Sequence, residues 1–190
     1  KFIFFKGDGI QKINEFAKQI AVLAEEGDYV LTPQNIMCII KEIKQENSER
    51  KFNIHIHTYE IPIILCNLYQ LKVAFMNIIQ NSKDSMPSGG DIEISFDIEK
   101  SSSPDIPIAA VNSEYLCVAI KDYGIGIPEE NLNRIFEPFF TTNISQKKGI
   151  GLTIAFTIIN KHHGFINLKS TVGKGTEFRV FLPVFNSKNV

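Results

Sequence analysis

The chain has 190 residues and 21.5 kDa, with 44% hydrophobic and 22% charged residues. That excludes a disordered or collagen-like polymer and is ample for one core. Twenty Lys plus Arg against 21 Asp plus Glu leave a net charge of −1, which speaks against a nonspecific nucleic-acid binder. Cys38, Cys66 and Cys117 are widely spaced, with no CxxC or Cys/His cluster. Neither a disulfide framework nor structural zinc is implied, and a reducing cytoplasm is the expected location. No apolar run approaches the ~18 residues of a membrane span; the longest are Ile61–Leu65 and Ile36–Ile40. The opening KFIFFKGDG lacks the apolar length of a signal peptide, and a start at Lys1 reads as a piece of a longer protein.

Residues 10–26 place Ile10, Ile13, Ala17, Ile20 and Ala24 at spacings of three and four, predicting an amphipathic helix that stops at Gly27. Thr32-Pro33 is expected to open a second helix through about Ser48, carrying Ile36, Ile39, Ile40 and Ile43. Phe52, Ile54 and Ile56 alternate with Asn53, His55 and His57, the pattern of a strand with one wet face. A third helix runs from Leu68 to about Met86 with Leu71, Phe75, Ile78 and Ile79 on its buried stripe. The turn PSGG leads into a strand with Ile92, Ile94, Phe96 and Ile98.

A Ser/Pro-rich connection over 100–114 precedes a strand with Leu116, Val118 and Ile120, ending at Asp122. From Gly124 to Gly149 the chain is punctuated by Gly, Pro and paired Thr, which predicts a long irregular lid. Gly151–His163 reads as helix, and Ile166, Leu168 then Phe178, Val180, Leu182 as two strands joined by TVGKGTE. This order predicts an α+β fold: a two-layer α/β sandwich with a mixed, mostly antiparallel sheet and helices on one face. Broken strand–helix alternation disfavours a doubly wound dinucleotide fold, and a P-loop is excluded because GxxxxGK[ST] is absent.

Three glycine clusters and one Asn pair carry the chemistry. In Asp122-Tyr123-Gly124-Ile125-Gly126 a carboxylate at a strand end can accept from an exocyclic amine, and the glycines admit a flat ligand. Gly149-Ile150-Gly151-Leu152 would expose backbone N–H groups at a helix N-terminus, where phosphate is favoured. Gly173-Lys174-Gly175-Thr176 lies between two strands. Any one cluster alone reads as a tight turn. Asn77 and Asn81 share one helix face, with Asp84 a turn further on; amide oxygens are hard ligands suited to Mg²⁺. Phe136, Phe139 and Phe140 crowd one loop segment, as an anchor or a gate.

In this order, Asn77–Asn81, DYGIG, FEPFFTT, GIGL and GKGT resemble the N, G1, F, G2 and G3 boxes of the catalytic domain of sensor histidine kinases. The resemblance spans about residues 50–184 and implies the Bergerat ATP-binding sandwich. It divides the chain into an ATP-binding domain over 49–190 and a segment over 1–48 similar to the end of a dimerisation hairpin with its linker. It implies ATP and Mg²⁺ as cofactors. Asn81 would hold the metal with Asn77 in support, and Asp84 would stand beside them. Asp122 would receive the adenine amino group, with Gly124, Gly126, Ile127 and Thr176 completing the base pocket. Lys148, Gly149, Ile150, Gly151 and Leu152 would face the phosphates. Thr141 and Thr142 would belong to the lid, anchored by Phe136, Phe139 and Phe140.

Relatives of this kind carry Lys where this chain has Asn143 and Gly-Thr where it has Lys147-Lys148. Gyrase-, MutL- and Hsp90-like relatives carry a water-activating Glu where this chain has Asn77, whose amide does not titrate. The resemblance therefore implies a protein-histidine kinase ahead of a hydrolytic ATPase. A non-enzymatic module that binds nucleotide or a partner is the alternative. The phosphoacceptor would lie on dimerisation helices outside this chain: His55 and His57 sit on a strand, and His162 and His163 end a helix. The implied partners are those helices in a homodimer and a response-regulator receiver domain. No contact of this segment with nucleic acid or membrane is expected, and the domain would be cytoplasmic even in a membrane-bound sensor.

Overall fold

The computed structural model of the protein describes residues 30–47, 51–57, 60–107, 114–142 and 149–185. The helix expected over 10–26 lies outside them. In chain order the elements are β1 (Thr32–Gln34), α1 (Met37–Glu46), β2 (Phe52–His57), β3 (Ile64–Cys66), α2 (Leu68–Ser85) and β4 (Gly90–Lys100). There follow β5 (Glu114–Asp122), α3 (Glu129–Leu132), α4 (Gly151–Lys161), β6 (Phe165–Thr171) and β7 (Gly175–Pro183).

Five strands form one sheet in the order β2-β4-β5-β7-β6. β2 runs parallel to β4 with α2 between them in the chain, and every other pairing is antiparallel. Alternation sets the faces: Leu116, Val118 and Ile120 of β5 lie at 0% exposure in the main core together with Phe178 and Val180 of β7. The helices cover that face. α2 starts where the Asn67 side chain accepts the Gln70 N–H at 3.1 Å, an N-cap that satisfies one orphan donor of the first turn. Its stripe of Leu71, Ala74, Phe75, Ile78 and Ile79 is fully buried, and truncating Phe75 there costs about 3–5 kcal/mol. The predicted two-layer α+β sandwich with helices on one face is the observed architecture.

One expectation is corrected. Thr32-Pro33 does not open a helix: Thr32, Pro33 and Gln34 pair antiparallel with Cys66, Leu65 and Ile64, and the helix begins at Met37. A pairing partner more than thirty residues away outweighs local helical spacing. Ile36, Ile39, Ile40 and Ile43 lie in the same core as α2 and the sheet.

On the opposite sheet face a smaller cluster joins Ile106, Tyr115, Cys117 and Phe181, with Phe165 against it. Phe165 stacks on Phe181 at 4.7 Å between centroids. Arg179 binds Glu99 at 2.7 Å and also Asp105, tying the 101–107 loop over this cluster.

Candidate functional site

The C-terminal end of β5 places Asp122, 1% exposed, under the C-terminus of α2. Its Oδ1 accepts three hydrogen bonds: from the Gly124 N–H at 3.0 Å, the Thr176 N–H at 3.2 Å and the Ser85 hydroxyl at 3.1 Å. Its Oδ2 is buried and has no partner among the described residues. An unpaired buried carboxylate oxygen is costly and rare in folded proteins. A ligand that donates a hydrogen bond could satisfy it.

The backbone around this carboxylate is close-fitted. A Cβ on Gly124 would lie 1.9 Å from Ser85 Oγ, and Gly126, at φ +70°, would drive one to 2.2 Å from the Thr171 carbonyl. Only glycine adopts that φ without strain, so the loop after β5 can press against the β6–β7 turn. Its fixings are the Ile125 N–H to Ser85 O at 3.1 Å, the Gly173 N–H to Ile125 O at 2.8 Å and the Ile127 N–H to Ser170 Oγ at 2.8 Å. Ser170 Oγ also meets Thr176 Oγ1 at 2.8 Å. A cavity of about 400 Å³ opens here, lined among others by Asp122, Leu132, Leu168, Ser170 and Thr176. Its walls mix apolar surface with a few convergent polar groups, as small-molecule sites do.

Two turns further back on α2, Asn77 donates through Nδ2 to the Val73 carbonyl at 2.9 Å, which turns Oδ1 outward. That oxygen lies 2.8 Å from where a Gly151 side chain would begin. The first turn of α4 thus sits against the Asn77 amide because Gly151 has no Cβ. Asn81 is half-buried on the same face and its amide makes no hydrogen bond among the described residues. At the head of α4, Ile150 supplies no side-chain cap. The first N–H groups, including those of Gly151 and Leu152, are left for an anion at the positive end of the helix dipole.

The lid segment is not wholly irregular: α3 and a run of turns over 133–139 interrupt it. Phe136 lies on Phe156 at 5.2 Å between centroids and Phe140 under the Arg134 guanidinium at 4.5 Å; both pack against the main core. Phe139 does not share in the anchoring expected of all three rings. It is 73% exposed and held at φ +67°, because its two neighbours take the inward positions. The backbone of Phe139 and Phe140 abuts Gly149 instead, at φ +64°, where a Cβ would meet the Phe140 carbonyl at 2.5 Å.

Thr141 is half-buried and Thr142 exposed. Asp84 is exposed, its carboxylate accepting from Gln80 at 3.0 Å along the helix. Lys148, with Asn143 and Lys147, lies outside the described residues. The site residues that the sequence did not single out are Ser85 and Ser170. Ser85 falls four residues after Asn81, on the face that Asn77 and Asn81 define, which is the signal that would have found it. Burial pushes the Cys66 and Cys117 thiols up to about 11, so neither serves as a nucleophile near neutral pH.

A buried carboxylate with one unpaired oxygen thus stands beside a cavity at the end of β5, and the uncapped start of α4 lies against Asn77 of α2. The sequence profile described as "Histidine kinase-, DNA gyrase B-, and HSP90-like ATPase" matches residues 67–186. The chain belongs to that family. It is 38% identical over 125 residues to sporulation kinase E of Bacillus subtilis, covering 66% of this chain and 15% of that protein. It is 30% identical over 181 residues to sensor kinase CckA of Brucella abortus, covering 92% of this chain and 18% of that one. The chain thus spans under a fifth of these curated relatives. The fold is also that of full-length ShkA in complex with AMPPNP, at a TM-score of 0.71 and 19% identity over 92% of this chain and 35% of that one.

Proposed function

We propose that this chain is the ATP-binding catalytic domain of a sensor histidine kinase. Asp122 carries the reading: its Oδ1 is saturated and its buried Oδ2 is open to a donor. An ionised carboxylate only accepts, so it selects a base with an amino group at that position, as adenine has. Gly124, Gly126, Ile127 and Thr176 would shape the rest of the base pocket. Phosphates would follow the groove to the head of α4, onto the N–H groups from Gly149 to Leu152, with Lys148 adding charge. Phe136 and Phe140 would hold the lid that closes over them, with Thr141 and Thr142 on its underside.

The residues present suit Mg²⁺. The outward Oδ1 of Asn77 and the unengaged amide of Asn81 are neutral hard donors, which leave a magnesium ion its waters and its bonds to phosphate. Bound there, the ion would neutralise charge on the phosphates. Asp84 stands a turn away and could hold an outer water. Phosphoryl transfer asks chiefly for positioning and charge stabilisation, and Asn77 cannot deprotonate a water. The γ-phosphoryl group would therefore pass to an imidazole nitrogen of a dimerisation helix, leaving ADP, and from there to an Asp of a response regulator in the cytoplasm.

The test is to incubate the protein with γ-labelled ATP, Mg²⁺ and a separately produced dimerisation hairpin from its own full-length parent. Acid-labile, alkali-stable label on the hairpin histidine is the expected result. Binding of ATP with no label supports the non-enzymatic module; rapid phosphate release without hairpin supports a hydrolytic ATPase and contradicts the role given to Asn77.

A further inference from the structure

Three donors load the Oδ1 of Asp122, and two of them are backbone amides that no ordinary substitution removes. The third is the hydroxyl of Ser85 at the last residue of α2. That hydroxyl has one proton and two acceptors in reach, Asp122 Oδ1 at 3.1 Å and the Ser82 carbonyl at 2.8 Å. A proton committed to Ser82 would leave Oγ lone pairs facing a carboxylate oxygen at 3.1 Å, which is repulsive. A charge-assisted bond to the carboxylate is the stronger choice. Ser85 also cannot swing away from the site. The chain at Gly124 passes so close that a Cβ there would overlap Ser85 Oγ, and the Ile125 N–H is bonded to the Ser85 carbonyl. The end of the helix that bears Asn77 and Asn81 is thereby tied to the orientation of the carboxylate.

We infer that Ser85 is a positioning residue for base recognition: its hydroxyl fixes the Asp122 carboxylate so that Oδ2 faces the ligand's 6-amino group. The inference rests on the adenine-nucleotide reading above and adds to it the residue that sets how strongly the amino group is discriminated. Without the hydroxyl, Oδ1 keeps two donors and the carboxylate gains freedom to rotate about its Cβ–Cγ bond. The grip on a 6-amino group loosens, whereas contacts to the ring, ribose and phosphates do not depend on Ser85.

The distinguishing experiment is a ligand-side cycle. Calorimetric titrations with Mg²⁺ are made on the unaltered chain and on Ser85→Ala, using ATP in one arm and purine riboside triphosphate, which lacks the 6-amino group, in the other. The expected result is a 3- to 10-fold loss of ATP affinity in Ser85→Ala and a change below twofold for the purine nucleotide. Equal losses for both nucleotides reduce Ser85 to a structural part and overturn the proposal, as does no loss for either. Ser85→Cys, close in size but a weak donor, repeats the comparison if the alanine variant does not fold. It should show the same selective loss. Failure of the unaltered chain to bind ATP refutes the nucleotide reading itself, and this inference with it.

Discussion

Replacing Asp122 by Asn changes one oxygen of the base site into an NH₂ group and leaves its shape alone. The three donors from Ser85, Gly124 and Thr176 converge on Oδ1 at 3.0–3.2 Å, so the amide oxygen must take that position. The NH₂ then occupies the place of the unpaired Oδ2 and meets the 6-amino group of adenine donor to donor. Loss of a hydrogen bond to a charged group is worth about 1.5–3 kcal/mol, or roughly 10- to 150-fold in Kd. The ligand-free fold should melt within a few degrees of the parent, since all three internal bonds keep an acceptor. ITP should gain relative to ATP, because its 6-oxo group accepts from the new NH₂. Isothermal titration with both nucleotides reads this directly. An Asp122→Asn variant that binds ATP within twofold of the parent refutes the base-reading role, whatever its effect on activity.

Other consequences lie away from the cavity. His163 closes α4 at φ +56°, a left-handed position that glycine takes without steric cost; His163→Gly should add about 1 kcal/mol of stability, raising Tm by about 2–4 °C. His162 is 1% exposed, donates from Nδ1 to the Ile158 carbonyl and accepts the Asn67 N–H at Nε2, and burial lowers its pKa from 6.5. Its depressed folded value means that the unfolded chain takes the proton first. Its contribution is complete above about pH 6.5 and is lost as the pH falls through the folded value. Urea titrations at pH 7.5 and 5 should show a smaller acid loss in His162→Gln than in the parent, and an unchanged loss would contradict this. Arg179→Met strands Glu99, 20% exposed, on the far face of the sheet and leaves Asp105 only Lys169 at 3.4 Å; the expected cost is about 2 kcal/mol with ATP affinity unchanged.

The sandwich was legible because its long elements carry strong periods. The stripe from Leu71 to Ile79 and the alternations ending at Asp122 and Leu182 left little freedom over which face is buried. The short elements were not legible. Ile64–Cys66 has three residues, too few to show a period, and Thr32–Gln34 becomes a strand only because Ile64–Cys66 lies beside it. The spacing of Ile36, Ile39, Ile40 and Ile43 announced a helix but not what it would pack on. In the site, the motif residues near Asp122 were found, whereas Ser85 looked like any polar residue at a helix end. Its role comes from a contact across 37 residues of sequence. Likewise FEPFF has three equal rings in sequence, and only the backbone turn at Phe139 separates the exposed one from the two half-buried rings of Phe136 and Phe140.

One adenine nucleotide should span from Asp122 to the head of α4. A crystal structure of the chain with AMPPNP and Mg²⁺ tests it most directly. The base amino nitrogen should lie within hydrogen-bond distance of Asp122 Oδ2, the phosphates against the N–H groups of Gly151 and Leu152, and the metal on the Asn81 amide oxygen. A nucleotide bound with its amino group turned away from Asp122, or with its phosphates remote from α4, would contradict it.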